Sequence, residues 1–193
     1  MTAWLQNLAR LRATHTEILR IAPFRDLGLV PNPGASRQAI QAAEERLGFA
    51  LPPSYRAFLA RHDGWPRFFE GASLLGTACL GNRVYDEFAR AAFAAAETPE
   101  PELGPPTRPR KLPRLLPFGV DLQSTTLFAF DTSARRADGE CEIVAWVNEL
   151  GVRSDDLPSF IELLLELSDH ELEGHTALER SRALPAVELR QSA

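Results

Sequence analysis

Residues 36–69, SRQAIQAAEERLGFALPPSYRAFLARHDGWPRFF, read as two helices joined by a tight corner. Ser36 is placed to cap the first helix, its hydroxyl accepting from an orphan amide of the opening turn. Ile40, Ala42, Ala43 and Leu47 then fall at helical spacing, and Gly48 supplies the stop. Leu51 leads into Pro52-Pro53, a pair suited to entering a helix, because proline's missing amide costs little in a first turn. Tyr55, Phe58 and Leu59 make the apolar face of this second helix. His62-Asp63-Gly64 ends it, and Trp65-Pro66 follows at once.

Outward from this pair the chain alternates between helical and strand patterning. Residues 2–22 read as a helix with Trp4, Leu8, Leu11, His15 and Ile18 on one side, closed by Pro23. His15 lies on the apolar stripe and is expected to be a hydrogen-bonded histidine at the core edge rather than a ligand. Short strands are expected at 68–70 and 73–75, broken at Gly71 and Gly76, and a helix over 82–97 with Tyr85, Phe88, Ala92, Phe93 and Ala96 turned inward. Residues 98–117 hold seven of the fifteen prolines, a spacing that excludes helix and ladder and predicts an extended surface insertion.

Three further strands are expected at 115–120, 125–131 and 141–147, with turns at Gly139 and at 148–151. Short consecutive strands with short connections imply antiparallel pairing. Pro158 then opens a helix packed through Phe160, Ile161, Leu164, Leu165 and Leu167, and residues 176–193 read as a C-terminal tail. The sum is a single α+β domain: an antiparallel or mixed twisted sheet flanked by helices, with its core over 36–167.

Composition narrows the function classes. Hydrophobic residues make up 45% of the 193, enough for a sizeable core, and no apolar run approaches the length of a bilayer span. The opening MTAWLQNLARLR has no signal-peptide apolar stretch, and Cys79 and Cys141 make no metal-like pair, so a reduced, cytoplasmic protein is expected. The net charge of −5 conceals an asymmetry. Residues 138–179 carry twelve acids against the single base Arg153, a net of −11, while the rest of the chain is net +6. Nucleic-acid binding by that third is disfavoured, since phosphate contacts need Lys and Arg. A basic protein partner would suit it, and so would an ordinary solvated helix face with turns.

No arrangement of residues carries catalysis. His170 and His175 are five apart, which turns the second by about 140° away from the first on a helix and spoils a shared metal. His62-Asp63 beside Trp65 has the look of an acid–base pair, but a cap followed by a core tryptophan explains the same residues. No Walker lysine and no Gly-x-Ser-x-Gly elbow occurs, and Asp121, Asp131 and Asp155-Asp156 sit where carboxylates usually cap turns. No cofactor or metal is expected.

One family does share this order of features. The Glu-Glu-Arg-Leu-Gly helix end, the Leu-Pro-Pro-Ser-Tyr-Arg-Ala-Phe-Leu helix and the Asp-Gly-Trp that closes it resemble the SUKH superfamily. Residues 115–131 (LLPFGVDLQSTTLFAFD) look like that family's Pro-Phe-Gly strand, turn and Phe-rich strand, and residues 144–167 like its closing strand and helix. The superfamily contains fungal cell-wall-synthesis regulators and many bacterial immunity proteins.

The resemblance implies a non-catalytic protein that neutralises a cognate toxin, such as a basic nuclease domain, by occluding its active site. The residues singled out for partner binding are Asp63, Trp65, Asp86 and Glu87 near one edge, and Glu149, Asp155 and Asp156 near another. A cap or a solvated charge is the competing reading for each. The competing functions are a non-catalytic adaptor of the cell-wall-regulator type and an enzyme acting on a small molecule.

Overall fold

The computed structural model describes residues 3–96, 114–121, 126–147 and 150–183, which fall into two compact units. The larger, residues 26–160, holds two short helices, α2 (Arg37–Leu47) and α3 (Pro53–Leu59), a helix α4 (Arg83–Ala96), and six strands. The strands are β1 (Trp65–Phe69), β2 (Ala72–Leu74), β3 (Leu115–Val120), β4 (Leu127–Arg135), β5 (Cys141–Val147) and β6 (Leu150–Ser154). They form one sheet in chain order, and every neighbouring pair is antiparallel. The α+β fold read from the sequence is therefore correct, and its sheet is antiparallel throughout the described residues.

The helix pair forms for the reasons its sequence suggests. Ser36 Oγ accepts the Ala39 amide at 3.1 Å, and Gly48 ends α2 in the left-handed region at φ 60°. Pro52 and Pro53 occupy the cap and first positions of α3. That helix has a further support from far along the chain. Glu140, before β5, accepts both the Ser54 amide (2.8 Å) and the Ser54 hydroxyl (2.7 Å). A carboxylate here does the work that proline cannot, satisfying orphan donors and favouring the positive end of the helix.

Tyr55 is the centre of the core. It is fully buried, its ring lies 5.2 and 5.3 Å from Phe118 of β3 and Phe130 of β4, and its hydroxyl donates to the Leu75 carbonyl at 2.7 Å. Burial pushes the phenol well above its ordinary pKa, so it remains a neutral donor. Phe118 stacks on Phe130 at 4.2 Å, and Phe128 meets Phe160 at 5.0 Å. Gly119 makes this packing possible, because a Cβ there would lie 2.3 Å from Phe128 Cδ2.

Two local readings need correction, and a third needs only its bounds moved. The strands expected at 68–70 and 73–75 are a single hairpin, β1 and β2, turning at Glu70 and Gly71, whose φ values of 46° and 76° suit a tight two-residue connection. Residues 150–151, read as the end of a turn, instead open strand β6. One β-branched residue and a glycine in five gave no alternating signal, and pairing with β5 supplies what propensity lacks. The last helix, α5 (Leu157–Ala183), is capped by Asp156 rather than opened by Pro158, and runs well beyond Leu167. Most of the Pro-rich insertion, residues 122–125 at the start of the expected fourth strand, residues 184–193 of the tail, and the side chains of Ala92, Phe93 and Ala96 lie outside the described residues.

The smaller unit, residues 1–25 with 161–193, contains helix α1 (Ala3–Ile21) and most of α5. Thr14 donates to Asp169 (2.8 Å), Arg25 pairs with Glu171 (2.8 Å), and His15 Nε2 bonds Ser168 Oγ at 3.1 Å. His15 is thus the buried, hydrogen-bonded histidine expected from the sequence.

Two outcomes follow. Gly119→Ala is expected to cost about 2 kcal/mol by forcing Phe128 from its place, read as a lower urea midpoint with an unchanged m-value. The second concerns pH. Burial lowers His15 from 6.5 to about 4, the Glu171 charge opposing only part of this. Between those values the unfolded chain binds more protons than the folded one, so stability falls as pH drops through the window, by up to about 3 kcal/mol. His15→Gln flattens that slope in urea titrations at pH 7, 5.5 and 4.

Candidate functional site

Within the larger unit, a cavity of about 380 Å³ opens where four parts of the chain meet. The end of α2 contributes Arg46, Leu47, Gly48 and Phe49, the approach to α4 and its first turn contribute Gly81 and Asp86, and β3 with the residue before it, and β4, contribute Arg114, Leu115, Leu116 and Thr132. The position of each wall has a local cause. Gly48 turns the chain out of α2, and Arg46 fastens that end to the loop before α4 by donating to the Thr77 and Leu80 carbonyls at 2.5 and 3.2 Å. Asn82 starts α4, its side-chain oxygen accepting the Val84 amide at 3.0 Å, which sets Asp86 in the first turn. Thr132 closes the far wall by donating its hydroxyl to the Arg114 carbonyl at 2.7 Å.

Asp86 is the distinctive group of this cavity. Its carboxyl is half-buried and accepts no hydrogen bond from the described residues. Burial raises its pKa above the ordinary carboxylate value, an effect that Arg90 one turn along only partly offsets. A carboxylate held short of water gains most from a cation brought to it. Leu47, Phe49, Leu115 and Leu116 share the lining with the polar Arg46, Arg114 and Thr132. No histidine, cysteine or serine lines the cavity among the described residues.

The other residues singled out from the sequence are dispersed. Asp63 is a structural clasp, its two carboxylate oxygens accepting the Thr77 amide (2.5 Å) and the Thr77 hydroxyl (3.0 Å). Trp65 is 2% exposed and donates its indole N–H to the Gly28 carbonyl at 2.8 Å, placing it in the core rather than on the cavity. Glu87 is exposed and pairs with Arg83 at 2.7 Å. Asp156 accepts the Ser159 amide and hydroxyl at the start of α5 and pairs with Arg136 at 3.4 Å. Asp155 is exposed, with no side-chain hydrogen bond among the described residues. Glu149 lies outside the described residues.

Thr77 engages both oxygens of Asp63, which gives this carboxylate the capping part that competed with the acid–base reading. His175 bonds Glu171 at 3.3 Å, His170 is exposed, and no group of three potential metal ligands converges among the described residues. Cys141 is buried and burial raises its thiol pKa, while Cys79 is half-exposed. Sequence reasoning missed Arg46, Arg114 and Thr132. They lie 86 residues apart at the extremes, and no spacing rule links them.

A family model described as the SMI1 / KNR4 family (SUKH-1) matches residues 34–166. The chain belongs to this family. No curated protein matches the chain. The SUKH-1 span starts just before the Ser36 cap and runs to Glu166 within α5, so the cavity lies wholly inside it. Among the described residues no helix is long and apolar enough to cross a membrane.

The Asp86 carboxyl supplies a direct check on the site. Its folded pKa is raised, so above the ordinary carboxylate range its charge opposes folding, and stability falls as pH rises through the shifted pKa. Asp86→Asn is expected to raise the melting temperature at pH 7 by a degree or so. The gain should disappear at pH 3, where the wild-type carboxyl is protonated in both states. An unchanged or lowered melting temperature at pH 7 would show that the carboxylate is well satisfied in the fold.

Proposed function

We propose that this SUKH-1 protein is an immunity protein, which binds a cognate bacterial toxin and blocks it by covering the toxin's active site or substrate cleft. A basic nuclease domain is the toxin class that its charge distribution fits best. The observation that carries the reading is Asp86: a half-buried carboxylate that accepts no hydrogen bond from the described residues, on the wall of a cavity, a place where an arginine or lysine side chain of a partner would be bound and desolvated. Glu87, on the next position of α4, and Asp155, after the edge strand β6, are exposed acids that a basic partner could also meet. The net charge of −11 over residues 138–179 supports a basic partner independently and would hasten encounter through long-range attraction. Asp63 and Trp65 hold the fold beneath this surface, and the binding itself requires no cofactor or catalytic residue.

The test is co-expression of the tagged protein with a toxin domain encoded beside its gene. A stable 1:1 complex that restores growth is expected. Asp86→Arg in the same assay should weaken the complex at least tenfold, because it replaces the acceptor of a cation with a like charge. Absence of both complex and rescue, with the neighbouring product shown to be toxic, would overturn the immunity reading for that partner.

A further inference from the structure

The two edges of the six-stranded sheet are finished differently. The outer edge of β1 is covered by the chain's own residues 26–32. Gly28 donates its amide to the Arg67 carbonyl at 2.5 Å, Gly71 donates to Asp26 at 3.1 Å, and Asn32 donates to Gly64 at 3.0 Å. Trp65 adds its indole bond to Gly28. Among the described residues, no backbone hydrogen bond reaches the outer edge of β6, at the other end of the sheet.

Register identifies the groups left on that edge. Val147 and Leu150 face each other across a two-residue connection, which makes them a mutually bonded pair, and alternation gives Ala145–Val152 and Ile143–Ser154 the same character. Gly151 and Arg153 therefore turn their amides and carbonyls away from β5. Both residues are exposed. Unpaired strand edges are templates for another strand, and natural edges are commonly protected by an outward charge. Arg153 does not serve that purpose, because its guanidinium is drawn back across the sheet face to Glu142 at 2.8 Å. Acids outnumber bases here, six to one over residues 138–156; Arg136 answers Asp138 and Asp156 and Arg153 answers Glu142, while the exposed Asp155 at the end of β6 accepts no side-chain hydrogen bond among the described residues.

We propose that the outer edge of β6 is a docking site for an extended, lysine- or arginine-rich segment of a protein partner, which adds to the sheet as a seventh strand. Backbone bonds to Gly151 and Arg153 supply the pairing, and the surrounding carboxylates select a basic sequence. The inference deepens the immunity reading by naming a second contact for a basic toxin, and it rests on that reading for the identity of the partner.

Amide hydrogen exchange, followed by NMR, tests the edge. The probe is a ten-residue peptide alternating lysine and threonine, with a glutamate–threonine peptide as the charge control. The lysine peptide is expected to slow exchange at Gly151 and Arg153 at least tenfold and to leave the Leu150 and Val152 amides unchanged. Raising the salt should weaken its binding. Gly151→Pro removes an outward donor, a change an edge strand tolerates, and should reduce peptide affinity at least tenfold. Gly151→Ala should retain affinity, since a Cβ there meets nothing closer than the Trp146 indole at 3.9 Å.

No protection at millimolar lysine peptide would overturn the proposal, and equal protection by the glutamate peptide would overturn its choice of partner. Protection without peptide in a sample that sediments as a dimer would assign the edge to a second copy and overturn it too. The wild-type measurement stands even where Gly151→Pro fails to fold. Growth rescue separates the two readings. If wild type and a folded Gly151→Pro rescue equally, the immunity reading stands and the edge falls. If wild type does not rescue while Gly151 and Arg153 are still protected by the lysine peptide, the immunity reading falls and the edge stands.

Discussion

The hydroxyl of Tyr55 and its acceptor, the Leu75 carbonyl, are the contact on which the larger unit depends. A buried phenol must find a partner or lose the hydrogen bonds it made to water. This one finds it just beyond the end of β2, while its ring lies against Phe118 of β3 and Phe130 of β4. One side chain thus joins helix α3 to three consecutive parts of the sheet. The double proline before it aims the helix, and Glu140 holds the helix start from the opposite direction in the chain. Gly119 completes the arrangement by leaving room for Phe128.

The acidic residues divide by what the fold already asks of them. Asp63 clasps Thr77, Glu140 caps α3, Asp156 caps α5 and Glu142 balances Arg153. Each of these carboxylates is occupied within its own unit, and its charge is largely answered there. Asp86 and Asp155 are different, since neither accepts a side-chain hydrogen bond from the described residues. Asp86 is additionally desolvated within a cavity, which costs folding stability and makes the carboxylate a strong acceptor for an incoming cation.

The helix corner was legible because local rules decide it. Ser36, Gly48 and Pro52-Pro53 act through their own backbones or through a bond only three residues away, and each behaves as its chemistry requires. The central strands were legible for a related reason: β3, β4 and β5 are buried and rich in Phe, Ile, Val and Leu. The membership in SUKH-1 follows from the same residues, since the matched span of 34–166 is built on that corner and those strands. Edge strand β6 was not legible, because half-exposed residues with a glycine among them carry little pattern, and only pairing with β5 makes them a strand.

By itself the sequence determined the fold class, the two caps of α2, the buried status of His15 and the concentration of acid in the last third of the chain. These depend on short-range spacing, composition, or the burial of a face, all of which can be counted along the chain. Only the tertiary structure decided which acids are committed and which are available. That distinction turns on partners distant in sequence: Thr77 for Asp63, Ser54 for Glu140, and for Asp86 the walls supplied by Arg46, Arg114 and Thr132. Availability is a property of what surrounds a charge in space, and a one-dimensional pattern does not contain it.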